Sequence, residues 1–228
     1  MPRLLALFLL LAATLAAAPL NNAVADFSTA SNPNGNWSYG TRIPDFLDFA
    51  IKDPSDPSLD YWMGNGGLPR VSLNTTASSI LADNILHPTD YLNLIPNANF
   101  HAVLRWTAPA AGDYTFSGAF RLHDNTSHGM AALISENDST LLLEHIFSSY
   151  LEEQSFQFTR TLAAGGFVDF VATSHNGQPQ VEDFYIWEAL GVQLDVSSAA
   201  EVPEPASCTL IAAGLATLAL RRRTRART

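Results

Sequence analysis

The chain has 228 residues, of which 47 % are hydrophobic and 15 % are charged, a balance that excludes an intrinsically disordered protein. Its single cysteine excludes an internal disulfide framework and zinc sites built from several cysteines. Twelve Lys and Arg against 22 Asp and Glu give a net charge of −10, which argues against nucleic acid as a partner. The same acidic excess disfavours binding to anionic membrane surfaces.

The N-terminal residues 1–25 have the pattern of a secretory signal peptide. A basic residue near the start precedes an unbroken apolar run at 4–18, and Ala23 and Ala25 form a small-x-small cleavage site for signal peptidase. As a helix the apolar run would reach about 22 Å, short of the ~30 Å hydrocarbon core, so a membrane anchor is disfavoured. We therefore predict cleavage after Ala25, with Ala18 as the alternative site.

The middle of the sequence has the pattern of a β domain. Short runs of alternating or β-rich apolar residues are separated by turn-forming residues. The clearest runs are 102–107, 114–121, 156–162 and 167–172, with turn signals at 109–113, 123–129, 165–166 and 176–177. Residues 46–51 and 141–150 would tolerate a helical turn, and we interpret the second segment as a pair of buried strands.

Many short strands without long helical patterns predict an all-β fold, an antiparallel two-sheet β-sandwich of the jelly-roll type. We place this domain at residues 26–196, followed by a linker at 197–201. An N-terminal signal peptide and a short C-terminal apolar helix are expected to flank it.

Two pairs of aromatic residues are candidates for binding a sugar ring. Tyr61 and Trp62 precede a glycine-rich segment at 64–67 that would let a ligand approach closely. Tyr185 and Trp187 share one face of an expected strand. In an extended segment, one ring of the first pair would point inward and the other outward. The alternative for all four is packing in the core, which we favour for Trp62.

Two sets of residues have side chains that bind metal ions. His123, Asp124 and His128 flank an expected hairpin loop, where two imidazoles and a carboxylate could approach one another. Asp113 and Asp169 could instead ligate a structural Ca²⁺ ion, which prefers oxygen ligands. A polar loop with incidental histidines also explains the first set. We expect no cofactor, with structural calcium as the alternative.

Compact catalytic and nucleotide-binding motifs are absent from the sequence, which has no G-x-S-x-G, P-loop, G-x-G-x-x-G or H-E-x-x-H. Glu136 and Asp138 begin the Glu-x-Asp-x-x-Glu pattern of laminarinase-like glycosidases, but Leu141 stands where the second glutamate belongs. Glu152 and Glu153 are adjacent, so they would point to opposite faces of a strand. These observations predict a protein that is not an enzyme.

The C-terminal segment combines three features in a fixed order: a proline motif, an apolar stretch at 206–220 and a cluster of arginines. The motif is formed by Val202, Pro203, Glu204 and Pro205, and the cluster begins with Arg221, Arg222 and Arg223. Arginines directly after an apolar segment hold that end in the cytoplasm, which places the preceding domain across the membrane. The stretch is short for a permanent anchor and suits a transient stay in the membrane.

This ordered trio at 202–228 resembles the PEP-CTERM sorting signal of Gram-negative bacteria. The resemblance implies that exosortase, a membrane protease, removes the tail from a precursor held in the inner membrane. It also implies that the mature protein passes to the outer surface or the extracellular matrix. Exosortase and signal peptidase are thus the implied partners during export, and a plain C-terminal anchor is the alternative.

Residues 32–40, 104–114 and 168–171 resemble segments of a group of exported PEP-CTERM proteins. Similar proteins carry a jelly roll akin to carbohydrate-binding and galactose-binding-like domains. The resemblance runs from about residue 26 to residue 195 and implies a fold and an export route. It implies little about activity, because sandwiches host many functions.

Together these observations predict an exported, exosortase-processed protein with a structural or adhesive role in the cell surface or an extracellular polysaccharide matrix. A carbohydrate-binding module with a defined glycan site is the alternative. A secreted glycoside hydrolase comes third, and it would need two carboxylates about 5–10 Å apart in an exposed groove.

Overall fold

The computed structural model describes residues 20–42, 45–52, 56–97, 99–126, 129–174 and 188–198, and every regular element in these ranges is a β-strand. The strands are β1 (Asn21–Asn22), β2 (Trp37–Arg42), β3 (Phe46–Asp48), β4 (Ile51–Lys52), β5 (Leu59–Met63), β6 (Arg70–Asn74), β7 (Ile80–Ala82), β8 (Ile85–His87), β9 (Leu92–Ile95), β10 (His101–Thr107), β11 (Gly112–Leu122), β12 (Met130–Glu136), β13 (Thr140–Phe147), β14 (Glu153–Leu162), β15 (Phe167–Thr173) and β16 (Leu190–Ser198).

Two main antiparallel sheets form the sandwich. The eight-stranded sheet has the order β14-β11-β16-β9-β6-β5-β4, and β1 pairs with β16. The six-stranded sheet has the order β13-β12-β15-β10-β2-β3, and β7 and β8 form a separate hairpin. Neighbours in each sheet are mostly distant in sequence, which is the connectivity expected of a double-sheet β fold. The predicted all-β antiparallel sandwich is confirmed.

The hydrophobic core lies between the inner faces of the two sheets. Side chains alternate along each strand, so that Leu104 and Trp106 of β10 are buried in the core. Trp106 contacts Phe116 of β11 edge-to-face at 5.3 Å between ring centroids, and Phe116 lies 6.1 Å from Phe170 of β15. These rings come from opposite sheets, so aromatic contacts join the two layers.

The structure differs from the sequence prediction at three places. Residues 141–150 do not form two buried strands. Residues 141–147 belong to the single strand β13, and most side chains of that strand are exposed or partly exposed. At the N-terminus β1 precedes the predicted domain start at residue 26. At the C-terminus β16 continues to Ser198, inside the predicted linker. The domain is therefore longer at both ends than its apolar pattern indicated, because polar residues form its terminal strand pairs.

Candidate functional site

A cluster of four charged side chains lies on the outer face of the six-stranded sheet. Because Leu104 and Trp106 face the core, Arg105 between them faces outward, and register places it opposite Asp169 of β15. Arg42 at the end of β2 and Asp138 in the turn after β12 complete the group. We call Arg42, Arg105, Asp138 and Asp169 the charged cluster.

Asp169 is the centre of this cluster. Arg105 donates from Nε to Oδ1 at 2.6 Å and from Nη2 to Oδ2 at 2.8 Å, a two-pronged geometry that suits a planar guanidinium. Arg42 Nη1 lies 3.5 Å from Oδ2. The Asp169 side chain has an exposed fraction of 0 %, and this burial raises its pKa although both arginines act in the opposite direction. The carboxylate thus holds both guanidinium groups in place.

Asp138 is the accessible acid of the cluster, with 47 % of its side chain exposed. Its Oδ1 lies 3.2 Å from Arg105 Nη2 and 3.4 Å from Arg42 Nε. Asn137 and Asp138 have φ values of 49° and 57°, a pair of left-handed residues that turns the chain between β12 and β13. Asparagine and aspartate tolerate this conformation better than most residues, so local turn chemistry positions the acid. Two cations and two anions leave the cluster without net charge.

Two aromatic rings enclose the Arg105 guanidinium. Its central carbon lies 3.9 Å from the ring centroid of Phe46 and 3.6 Å from that of Phe167, both within cation–π range. Phe46 lies across the neighbouring Gly40, where an added Cβ would stand 2.7 Å from the ring. Glycine at position 40 therefore allows Phe46 to reach Arg105, and the two rings fix the guanidinium plane.

Beside the charged cluster lies an open cleft of about 330 Å³. Arg42 and Asp138 form its charged wall, and Leu141 and Val171 contribute apolar surface. The lining residues are Arg42, His101, Leu133, Ser135, Asp138, Ser139, Leu141 and Val171. Arg42 Nη1 donates to Ser135 Oγ at 2.9 Å, which further orders the guanidinium. We call this feature the charged cleft; it offers ordered donors and acceptors next to an apolar patch.

The aromatic candidates from the sequence lie elsewhere. On β5, Tyr61 has an exposed fraction of 8 % and Trp62 one of 6 %, so both rings are buried. Trp62 belongs to the core and donates from Nε1 to the Ser28 carbonyl at 2.8 Å, while the Arg70 guanidinium covers the ring of Tyr61 at 5.4 Å. This burial agrees with the packing alternative and leaves no open face for a sugar. Tyr185 and Trp187 are outside the described residues.

The residues considered for calcium are not brought together. Asp113 is an exposed residue of β11 that accepts a hydrogen bond from Thr161 Oγ1 in the eight-stranded sheet. Asp169 lies in the six-stranded sheet and is held by two arginines. A calcium ion needs several oxygen ligands around one point, so this pair does not form such a site.

The histidine candidates do not form a metal site within the described part of the chain either. His123 is buried and bonded to protein groups, and Asp124 accepts hydrogen bonds from the backbone nitrogen and hydroxyl of Thr126. His128 falls outside the described residues. Across the described ranges there is no group of three or more His, Cys, Asp or Glu side chains that could hold a metal ion.

Because Asp169 is held by two arginines and Asp113 lies in the other sheet, we expect that removing divalent cations leaves the melting temperature unchanged. A ligand that binds only the folded state stabilises it by mass action, and a chelator would remove that stabilisation. Calorimetry of the exported protein with EDTA, and again with excess Ca²⁺, measures this. A decrease of several degrees in EDTA that Ca²⁺ restores would contradict the prediction.

His123 is part of a buried polar network instead. Arg121 Nε donates to His123 Nε2 at 3.1 Å, which leaves the proton of the neutral ring on Nδ1 to be donated to Asn93 Oδ1 at 2.6 Å. Asn93 Nδ2 in turn donates to His87 Nδ1 at 3.0 Å. Burial lowers the pKa of His123 to about 3 and that of His87 to about 4. Both histidines are neutral structural residues at pH 7.

From the charged cluster, the sequence offered Asp169 as a calcium candidate and Asp138 only as part of an incomplete glycosidase pattern. A signal for the cluster was present, because Arg105 and Asp169 are the charged residues within otherwise apolar strand patterns. Their pairing depends on the register between β10 and β15, which are separated by four strands along the chain. Arg42 and Asp138 join them only through the sheet order.

Comparison with solved structures finds carbohydrate-binding modules. A CBM4 protein is 14 % identical with a TM-score of 0.33, over 65 % of this chain and 92 % of that chain. TmCBM61 in complex with β-1,4-galactotriose is 10 % identical with a TM-score of 0.33, over 71 % and 88 %. A family 35 module from Clostridium thermocellum is 16 % identical with a TM-score of 0.29, over 62 % and 89 %.

No curated protein matches the chain. The PEP-CTERM protein-sorting motif matches residues 201–223, which contain the proline motif and the first arginines identified in the sequence. The apolar helix expected at 206–220 is outside the described residues. Within the ranges that the structure describes, no helix has the length and hydrophobicity needed to cross a bilayer. The match marks the chain as an exported protein that carries a PEP-CTERM sorting signal and is processed by exosortase.

Proposed function

We propose that the mature protein is a non-catalytic component of the cell surface or extracellular matrix whose charged cleft binds exopolysaccharide. The observation that carries the proposal is the arrangement of Arg42, Asp138 and Leu141 around one open cleft. A polysaccharide offers hydroxyl groups that both donate and accept hydrogen bonds. It also offers apolar ring faces, which fit a side chain such as Leu141 that is 57 % exposed.

Charge balance supports a neutral glycan over a phosphate or sulfate ester. Each guanidinium of the charged cluster already contacts both Asp138 and Asp169, so no net positive charge is left for an anion. Ordered ionised groups still form strong hydrogen bonds with neutral hydroxyls. Arg42, which lines the cleft, is held by Asp138, Asp169 and Ser135, and this order reduces the entropy lost when a ligand binds.

A non-catalytic role is supported by the state of the two carboxylates. A glycosidase places one carboxyl group as acid and another as base or nucleophile on either side of the scissile bond. Asp169 and Asp138 instead contact the same Arg105 nitrogen, and Asp169 is fully buried. Asp169 therefore has no contact with a ligand in the cleft. The proposed binding requires no metal ion or cofactor.

The experiment that tests this proposal is a glycan-array screen of the exported protein, followed by affinity chromatography on the glycans that bind. Retention by several neutral polysaccharides supports the matrix role, and retention by one defined glycan supports a dedicated carbohydrate-binding module. Release of reducing sugar from a bound glycan would show a hydrolase and contradict the non-catalytic role. Failure to bind any glycan would contradict the proposal as a whole.

Replacing Asp138 by glycine is expected to weaken glycan binding at least tenfold. Glycine adopts the left-handed conformation of position 138 without strain, so the change removes the carboxylate and preserves the turn. Hydrogen bonds to charged groups contribute about 1.5–3 kcal/mol, and 1.4 kcal/mol is a factor of ten. Asp83→Gly is a matched control, since Asp83 is an exposed left-handed aspartate with φ 50° in the separate β7–β8 hairpin. Isothermal titration should show unchanged affinity for the control; equal affinities for the two variants would exclude Asp138 from the site.

A further inference from the structure

Residues 20–25, which directly precede the predicted mature N-terminus, are part of the folded domain. The backbone nitrogen of Leu20 donates to the Val196 carbonyl at 2.6 Å, and that of Ala23 donates to the Leu194 carbonyl at 2.9 Å. Between them β1 pairs with β16. On the same side of β16, β9 pairs with residues 190–192, so β1 covers the part of β16 that β9 does not reach. Without this segment the second half of β16 would present unpaired backbone groups.

Side chains of β1 also satisfy polar groups of the core. Asn21 Oδ1 accepts the indole proton of Trp106 at 3.0 Å and a hydrogen bond from Asn36 Nδ2 at 2.9 Å. Asn22 Nδ2 donates to Asp195 Oδ1 at 2.8 Å. Trp106 is fully buried, so the loss of Asn21 would leave a buried indole N–H without this acceptor. Unsatisfied buried donors are costly in folded proteins.

The next residues connect β1 to the core and to β2. Ala23 has an exposed fraction of 0 % and belongs to the hydrophobic core. Asp26 Oδ2 accepts from the backbone nitrogen of Asn22 at 3.0 Å and from the indole nitrogen of Trp37 at 3.1 Å. A chain that began at Asp26 would lack the core methyl group of Ala23 and the strand pairing of Asn21 and Asn22. It would carry an incomplete sandwich.

We infer that signal peptidase cuts upstream of Leu20, at the small residues Ala16-Ala17-Ala18, and that residues 20–25 remain in the mature protein. Ala16 and Ala18 satisfy the small-x-small requirement at the end of the apolar run, as Ala23 and Ala25 do farther along. Only the upstream cut leaves β1 and Ala23 in the exported domain. This inference is independent of what the charged cleft binds.

The N-terminus of the exported protein, read by Edman sequencing and intact mass, tests the inference. An N-terminal residue at or before Leu20 supports it. An N-terminus after Leu20, or a leader that is not removed, overturns it. Two substitutions in the full chain distinguish the upstream cleavage site from the one at Ala25. Ala25→Gln changes an exposed side chain and should leave cleavage unchanged, whereas Ala18→Gln should block cleavage or move it to another residue upstream of Leu20.

A stability measurement on the exported protein gives a second readout. Asn21→Ala removes the acceptor of the Trp106 indole, so its chemical-denaturation midpoint should fall clearly below that of the wild type. Ala25→Gln should unfold at the wild-type midpoint. Equal midpoints for the Asn21→Ala variant and the wild type would overturn the assignment of β1 to the mature domain.

Discussion

Asp169→Ala is expected to lower the free energy of unfolding by about 3–5 kcal/mol, as the removal of one partner of a buried ion pair generally does. The substitution would leave the Arg105 guanidinium between Phe46 and Phe167 without its two-pronged acceptor. Arg42 would lose the same neighbour. Asp138, which is half exposed, would remain in contact with both arginines.

Equilibrium unfolding in guanidinium chloride measures this effect, and Asp113→Ala is the control. Asp113 is an exposed strand aspartate with a hydrogen bond to Thr161, so its removal should cost less than about 1 kcal/mol. A cost for Asp169→Ala as small as that of the control would mean that the buried pair contributes little. The charged cleft would then lack the support that Asp169 gives to Arg42.

The fold class could be predicted from the sequence because sheet formation leaves a local signal. Strands such as β10 and β15 are short runs of apolar and β-branched residues, which is a local signal for a strand, and each run contains a single Arg or Asp. Charged residues within such strands, such as Arg105 and Asp169, are candidates for a site on the outer face of the sheet. Their contact depends on strand order and register, which local patterns do not encode. The charged cluster is therefore visible in the sequence as separate residues only.

The candidate aromatic pair on β5 illustrates a second limit. The alternation of side chains along a strand correctly places Tyr61 and Trp62 on opposite faces of the sheet, since Trp62 belongs to the core cluster and Tyr61 does not. Alternation does not reveal what covers the outward face, and here Arg70 of the adjacent strand lies over Tyr61. Both rings are buried as a result. Burial of an outward residue depends on neighbouring strands, which the local pattern does not contain.

The position of His123 shows the same dependence on distant residues. The run 123–129 is polar and resembles an exposed loop, yet His123 is fully buried beside Gly191 of β16. A side chain at position 191 would overlap the imidazole ring, so the histidine is accommodated only because a glycine stands 68 positions later in the chain. Asn93 and Arg121 then satisfy both ring nitrogens.

This network predicts that the protein loses stability in mild acid. His87 and His123 have pKa values near 4 and 3 in the folded state, against about 6.5 when unfolded. Between these values the unfolded chain binds more protons, so the free energy of unfolding falls as the pH decreases. From pH 7 to pH 5 each histidine should contribute a loss of about 2 kcal/mol, or about 4 kcal/mol together.

The charges around the two rings explain the direction of these shifts. Burial is the largest cause for both histidines. Arg121 and the neighbouring His87 further lower the pKa of His123, and Arg70 lowers that of His87 against the opposing effect of Asp56 and Asp83. The pKa values of Asp48 and Asp169 are raised mainly by burial, so proton uptake by these carboxyl groups opposes the loss.

A variant that cannot titrate isolates the histidine contribution. In His87→Gln the side-chain oxygen can accept the hydrogen bond from Asn93 Nδ2. The amide does not titrate between pH 7 and pH 5. Its loss of stability between pH 7 and pH 5 should be about half that of the wild type, measured as the midpoint of chemical denaturation at each pH. Imidazole nitrogen resonances should show His123 protonated on Nδ1 and neutral throughout this range. Equal stability at the two pH values, or a His123 ring that titrates near pH 6, would contradict the buried network of neutral histidines.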